Sequence, residues 1–414
     1  MALGPETAAR RIARNAASVV LGDAAGDILI AYTVVLAAKS LGPRGFGTLS
    51  EAQAFMDPFD VASALGLANV ALRFAASRGG CDGTLRGTIL GIRLTASVVA
   101  AATGIAVAFL THRGELWPLL LTIGAGMLLA SADMAAILPF QWHQSVHRRI
   151  AVPFFIGLLR LGAACVATWF LATPLGYQLA ILAGGVGSVL LNMWWALRVY
   201  PDPLRYDRAL ARELLSVGWP AALFAVVVVF YDRAGYFLLR DSGVQQLGQY
   251  AAAERLTRPI ISVASAICFS SLPTIGAMAV GGDLTRLRTV YSRSLLGSGA
   301  VLAPLVGAAW FAAPWLLTRF APSYAQAGGP LRVLAIGALF VVLNIISTVF
   351  LTALGRFRVM IAIAVLDLVI YLLLSSRLIP THGALGAALS TTIMEGINVV
   401  VQVVAVRRWC LAQA

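Results

Sequence analysis

Apolar residues in this chain come in runs of about twenty, separated by short polar stretches, from one end to the other. Each run is long enough to cross the hydrocarbon core of a bilayer as a helix. None shows the period-two alternation of a barrel strand. The pattern predicts spans near 16–38, 46–69, 87–110, 116–140, 150–172, 175–197, 214–239, 247–273, 291–317, 330–353, 359–379 and 383–406. The second and eighth are the most charged. The run at 16–38 follows Arg10, Arg11 and Arg14 but is too long for the core of a signal peptide, so it is read as the first membrane helix.

Composition agrees. The 414 residues are 59% hydrophobic and 12% charged, about half the charge of a soluble domain. Mean hydropathy is +0.85. The net charge is +13, but the basic residues are scattered through loops, which argues against nucleic acid. The four cysteines are isolated, with neither metal-ligand nor paired spacing.

Basic residues set the orientation. With the N-terminus inside, nineteen arginines fall in cytoplasmic segments and six basic residues in outer ones; six more arginines lie within spans, completing the 31. The asymmetry holds only for an even number of helices, with both termini cytoplasmic. The polar link 200–213 then divides the chain into an N-terminal six-helix lobe, 1–199, and a C-terminal six-helix lobe, 214–414.

The stretch LGPRGFGTLSEAQAF at 41–55 has a worn copy, SGVQQLGQYAAAERL, at 242–256. An offset of 201 places Gly42 on Gly243, Gly47 on Gly248, Ala52 on Ala253 and Pro58 on Pro259. Both copies lie in the turn between the first two helices of a lobe. An even helix count per lobe makes this a parallel repeat about an axis along the membrane normal. Glycine allows the tight turn, and the prolines are expected to bend the second helix of each lobe.

Ten acids lie inside the spans: Asp23, Asp27, Glu51, Asp57, Asp60, Asp133, Asp232, Glu254, Asp367 and Glu395. So do six arginines: Arg93, Arg160, Arg233, Arg255, Arg258 and Arg332. A charge at mid-bilayer costs about 3 kcal/mol or more, so these groups face one another or a wet cavity. Asp23 and Asp27 are like charges at i,i+4, the arrangement that takes up a proton or a cation. Asp57 and Asp60 extend that acidic set. Arg160 lies about 15 Å from its cytoplasmic helix end, too deep to snorkel. Glu254 and Arg258 are an i,i+4 pair, whereas Arg255 lies on another face. Adjacent Asp232 and Arg233 point different ways. The predicted division is cation coupling by Asp23, Asp27, Asp57 and Asp60, and anion binding by Arg160, Arg233, Arg255 and Arg258. His143 and His147 lack a third metal ligand. No phosphate loop, nucleophile elbow or cofactor motif appears, so neither a metal nor a cofactor is expected.

Three motifs occur in order: LGPRGFGTLSEAQAF with DVASALGLANVALRFAAS, then YDRAGYFLLRDSGVQQLGQYAAAERL, then LTALGRFRVM with LIPTHGALGAALSTTIME. On these the chain resembles the polysaccharide-export branch of the multidrug/oligosaccharidyl-lipid/polysaccharide (MOP) superfamily, the Wzx-type flippases. The resemblance implies an all-α, MATE-like membrane fold with a V-shaped pair of six-helix bundles. It implies alternating access that moves a polyprenyl-diphosphate-linked oligosaccharide from the inner to the outer leaflet of a bacterial cytoplasmic membrane. Membrane lipid and other polysaccharide assembly proteins would be partners. Many members carry fourteen helices, and this chain reads as twelve. The alternatives are a cation-coupled multidrug exporter of the same superfamily and a membrane polysaccharide polymerase or ligase, although the outer loops are short for the latter.

Overall fold

The computed structural model describes residues 5–142, 146–271, 275–276, 278–279, 281 and 284–411. The regular elements there are helical. They run α1 (Pro5–Ala64), α2 (Leu67–Ser77), α3 (Gly83–Leu110), α4 (Trp117–Trp142), α5 (Val146–Phe170), α6 (Pro174–Val199), α7 (Arg208–Leu239), α8 (Val244–Ser270), α9 (Leu284–Phe320), α10 (Gly328–Ala353), α11 (Phe357–His382) and α12 (Ala384–Leu411). Among the described residues, nine helical stretches are long and apolar enough to cross a membrane; α1 and α8, the charged segments of the sequence pattern, are not among them. Large apolar side chains stand on the outer surface, including Trp169, Phe170 and Phe311, each at least 80% exposed. Such a surface suits lipid rather than water.

Local chemistry sets the helix starts. Asp82 caps α3 by accepting the Leu85 amide at 2.9 Å. Thr173 caps α6 through the Gly176 amide at 3.1 Å, with Pro174 at the first helical position. Asp207 accepts the amides of Ala209 and Leu210 at 2.8 and 3.3 Å. This cap starts α7 at Arg208, earlier than the predicted 214, and leaves only 200–207 extended.

The chain forms two compact units. Unit 1 comprises Met1–Leu41 and Ala52–Val226, and unit 2 comprises Gly42–Glu51 and Val227–Ala414. These boundaries follow packing, whereas the sequence division at 200–213 follows connectivity. They differ because the start of α7 packs into unit 1. Leu210, Ala211 and Leu214 are buried there with Leu67, Leu85, Ile89 and Leu138. The extended link is strapped along α3: Gly83 accepts the Arg205 amide at 3.2 Å, and Thr88 Oγ1 accepts the Asp207 amide at 3.0 Å. Deeper in unit 1, α4 packs on α3 and α6, and α5 packs on α6. Ser97 Oγ lies 2.7 Å from Ser131 Oγ and 3.2 Å from Ser63 Oγ, tying α3 to α4 and α1. In lipid, small residues and such hydrogen bonds hold helices together, each bond contributing about 0.6 kcal/mol.

In unit 2, α10 packs on α8, α9 and α12, and α11 packs on α12. The two copies of the glycine motif meet in this unit. A side chain at Gly47 would run into the backbone of Val244 and Gly248, and one at Gly248 into the Pro43 carbonyl. The offset of 201 turns Pro43 into Val244 and Gly47 into Gly248, so the two contacts are images of each other. This reciprocity is what a two-fold relation between the copies requires. Gly42 breaks α1 with φ 64° and ψ 177°, and its counterpart Gly243 turns into α8 with φ 103°. The break falls at Gly42, in the expected glycine turn, and α1 keeps helical backbone angles through Pro58.

Candidate functional site

Four helices of unit 2 bring buried and half-buried charges together. From α7 come Asp232 and Arg233, and from α8 come Glu254 and Arg258. Arg258 donates from Nη2 to Asp232 Oδ2 and from Nε to Glu254 Oε1, both at 2.8 Å. Arg233 Nη1 lies 3.5 Å from the same Glu254 oxygen and 3.6 Å from Asp232 Oδ2. Tyr236 donates to the other Glu254 oxygen, Oε2. Each carboxylate is therefore shared, and each arginine already has an acid as its partner. The helical spacing foresees Glu254–Arg258. It does not foresee Asp232–Arg233, which were expected to diverge. Both side chains reach the same Glu254–Arg258 pair, and the length of the arginine lets it return to its sequence neighbour.

Next to this network stand Asp367 on α11 and Glu395 on α12, 2% and 6% exposed. Glu395 Oε2 accepts from Asn344 Nδ2 of α10 at 2.6 Å. Asp367 Oδ1 has no hydrogen-bond partner among the described residues. Glu395 lies within electrostatic reach of Asp367, Asp232 and Arg258. Neither Asp367 nor Glu395 forms an ion pair with an arginine among the described residues. Two adjacent acids in low dielectric, without a guanidinium in contact, ask for a proton or a bound cation. The sequence reading counted both among its intramembrane acids but gave neither a role. They lie far apart in the chain, and only the packing of α11 on α12 makes them neighbours.

Arg255 takes a separate direction. Its guanidinium lies over the Phe46 ring, 4.9 Å from the centroid, near Tyr324. Glu51, also in unit 2, pairs with Arg240 at 3.2 Å.

Unit 1 holds its charges differently. Asp133 of α4 accepts from Ser188 Oγ at 2.9 Å and from Asn192 Nδ2 at 2.8 Å, both on α6. Arg160 of α5 lies near Asp133, with its stem pressed on Gly184 and its Nε buried without a hydrogen-bond partner among the described residues. Asp60 stands near Arg93 and Asp57; Arg93 is 7% exposed, and its Nε too has no hydrogen-bond partner among the described residues. The side chains of Asp23 and Asp27, and the pair His143 and His147, lie outside the described residues.

Buried and half-buried ionic groups thus lie inside a multi-span, all-α membrane fold. The chain belongs to the polysaccharide biosynthesis protein family, which it matches over residues 12–279. No curated protein matches the chain. Solved structures show the fold. An inward-facing multidrug resistance MATE family transporter of the MOP superfamily superposes with a TM-score of 0.76 at 14% identity, covering 93% of this chain and 95% of that one. An outward-facing structure of a MATE family transporter gives 0.66 at 14%, covering 97% and 95%. A MATE protein in complex with MaL6 gives 0.67 at 15%, covering 97% and 96%. The fold is thus MATE-like.

Proposed function

We propose that the protein is a cation-coupled, alternating-access flippase for polyprenyl-diphosphate-linked oligosaccharide in a bacterial cytoplasmic membrane. The observation that carries the cargo is the family match over residues 12–279, whose description is polysaccharide biosynthesis. The sugar crosses through a polar interior while the polyprenyl tail remains in lipid. In this reading Arg160 meets the diphosphate, because its Nε is uncommitted and a guanidinium can grip two phosphate oxygens. Arg255 assists from its place over Phe46, while Arg233 and Arg258 tune the acids they already pair with. Asp367 and Glu395 take the coupling ion. The twelve-span arrangement, the pseudo-two-fold between lobes 1–199 and 214–414 with link 200–213, and cytoplasmic termini belong to the same proposal. The reciprocal Pro43–Gly248 and Val244–Gly47 contacts and the arginine asymmetry support them.

A second reading, cation-coupled multidrug export, has specific support. The solved structures above carry multidrug and MATE titles, and they favour this reading over the first. The acids of unit 2 also occupy arginines that an anionic headgroup would need. Purified protein in proteoliposomes decides between them. A defined lipid-linked oligosaccharide and the hydrophobic cation ethidium are offered separately under imposed H⁺ and Na⁺ gradients. Gradient-dependent flipping of the oligosaccharide is expected. Export of ethidium with no flipping would transfer the conclusion to the second reading.

A further inference from the structure

The end of unit 2 that holds the α7–α8 and α11–α12 turns carries two adjoining cavities that the transport site does not use. It is the opposite end of α7 from the extended link. The first, about 690 Å³, is lined by Arg44, Thr48, Gln245 and Gln326. The second, about 780 Å³, is lined by Asp241, Ser376, Thr381 and His382, with Leu238, Ile379 and Pro380 as its apolar part. Ser242 and Gln246 line both, so the cavities share a wall. Each has the volume of a small-molecule site.

The shared wall is held in place. Gln246 Oε1 accepts the Ala384 amide at 3.2 Å where α12 begins, which fixes the side chain and leaves Nε2 to donate. Thr381 Oγ1 lies 2.7 Å from His382 Nδ1, which orients the ring with Nε2 still open to a ligand. Across the two cavities the polar lining is three glutamine amides and five hydroxyls, with one arginine, one aspartate, one histidine and no Phe, Tyr or Trp, beside an apolar part of similar extent. A flat hydrophobic cation finds no such ring to stack on and little net negative charge. A neutral saccharide fits better. Its hydroxyls both donate and accept, as glutamine amides and serine or threonine hydroxyls do, and its C–H faces can lie on Ile379 and Pro380.

We propose that this double groove binds the saccharide part of the cargo on the face opposite the link. The inference rests on the lipid-linked oligosaccharide reading. In the orientation set by the arginines this is the outer face, so the groove receives the sugar after it has crossed.

Saturation-transfer NMR on the full-length protein in lipid nanodiscs tests the groove, with maltotriose, cellotetraose and chitotriose as free probes and tetraphenylphosphonium as the control. Transfer to sugar C–H protons is expected, with affinity about tenfold weaker in Gln246→Leu. Gln246 also anchors α12, so Gln326→Leu and Ser376→Val, one in each cavity, are measured beside it and are expected to weaken binding in folded protein. No transfer to any sugar, or transfer indifferent to all three substitutions, would overturn the groove. So would a tetraphenylphosphonium signal that the substitutions abolish. Flipping is scored separately on the same variants. Flipping without groove-dependent sugar binding rejects the groove and leaves the cargo reading standing. Groove-dependent sugar binding without flipping in the wild type keeps the groove and rejects the cargo reading.

Discussion

Unit 1 and unit 2 both bury arginines and acids, but they commit them in opposite ways. In unit 2, Arg258 holds Asp232 and Glu254 in direct contact, and Arg233 joins them, while Asp367 and Glu395 form no ion pair with an arginine among the described residues. In unit 1, Asp133 is met by a serine and an asparagine, and the nearby Arg160 keeps an unpartnered Nε; Arg93 does likewise near Asp60. Arg233 and Arg258 of unit 2 are thus paired with acids, while Arg160 and Arg93 of unit 1 each keep a buried Nε without a partner among the described residues. The residue pattern assigned the cation to Asp23, Asp27, Asp57 and Asp60 and the anion to Arg160, Arg233, Arg255 and Arg258; in the proposed function Arg160 still meets the anion, and the cation goes to Asp367 and Glu395. Counting charges along the chain does not reveal which of them meet, and a paired guanidinium is a poor counter-ion for a third group.

The sharpest way to break this comparison is to remove the two acids that lack an arginine. Asp367→Asn with Glu395→Gln should lower gradient-driven transport roughly 100-fold, the scale of a coupling energy near its upper range. The fold should persist, since the Asn344 bond has a partner in glutamine. Equal transport with and without these acids, measured under the same imposed gradient, places coupling outside unit 2.

Removing the shared cation comes next. Arg258→Ala leaves Asp232 and Glu254 facing each other. Because the Arg258 side chain is 39% exposed, the loss should be about 2–3 kcal/mol, less than for a wholly buried pair. Thermal unfolding in detergent measures it, and adding Glu254→Gln should recover at least part of the loss. A variant as stable as the wild type would mean that the network carries no stability.

Arg160 should behave in the other direction. With Asp133 already held by Ser188 and Asn192, Arg160→Ala should unfold at nearly the wild-type temperature, yet bind lipid-linked diphosphate roughly tenfold more weakly. Arg160→Lys should lie between the two. Strong destabilisation with unchanged binding would make Arg160 a structural counter-ion of Asp133.

The smallest effect is expected where the sequence pattern first pointed. Asp57→Asn and Asp60→Asn, and the pair Asp23→Asn with Asp27→Asn, should each change gradient dependence by less than about threefold, within the weak end of site coupling. A larger loss in any of them moves coupling into unit 1 and undoes the contrast between the units.

Much of the fold was legible in the residues because membrane helices advertise themselves. A run of about twenty apolar residues has few alternatives in a bilayer, where unpaired backbone polar groups are too costly. The α6 start at Pro174, capped by Thr173, falls beside the predicted span 175–197. The site was legible only where partners sit one turn apart, as Glu254 and Arg258 do. Asp367 and Glu395 come from different helices, and no local period connects them. The glycine motif is an intermediate case: the offset of 201 was visible, but not that its two copies touch.

The sequence by itself determined the membrane-helical class, the glycine repeat and the family, because hydropathy and a recurrent motif are properties of short stretches. The tertiary structure alone decided which buried charges are satisfied. Arg233, Arg255 and Arg258 lie close together in the chain, yet two enter an acid network and one lies over Phe46. Electrostatic energy falls with distance and rises as the dielectric falls, and both depend on neighbours that only the packing of distant helices supplies.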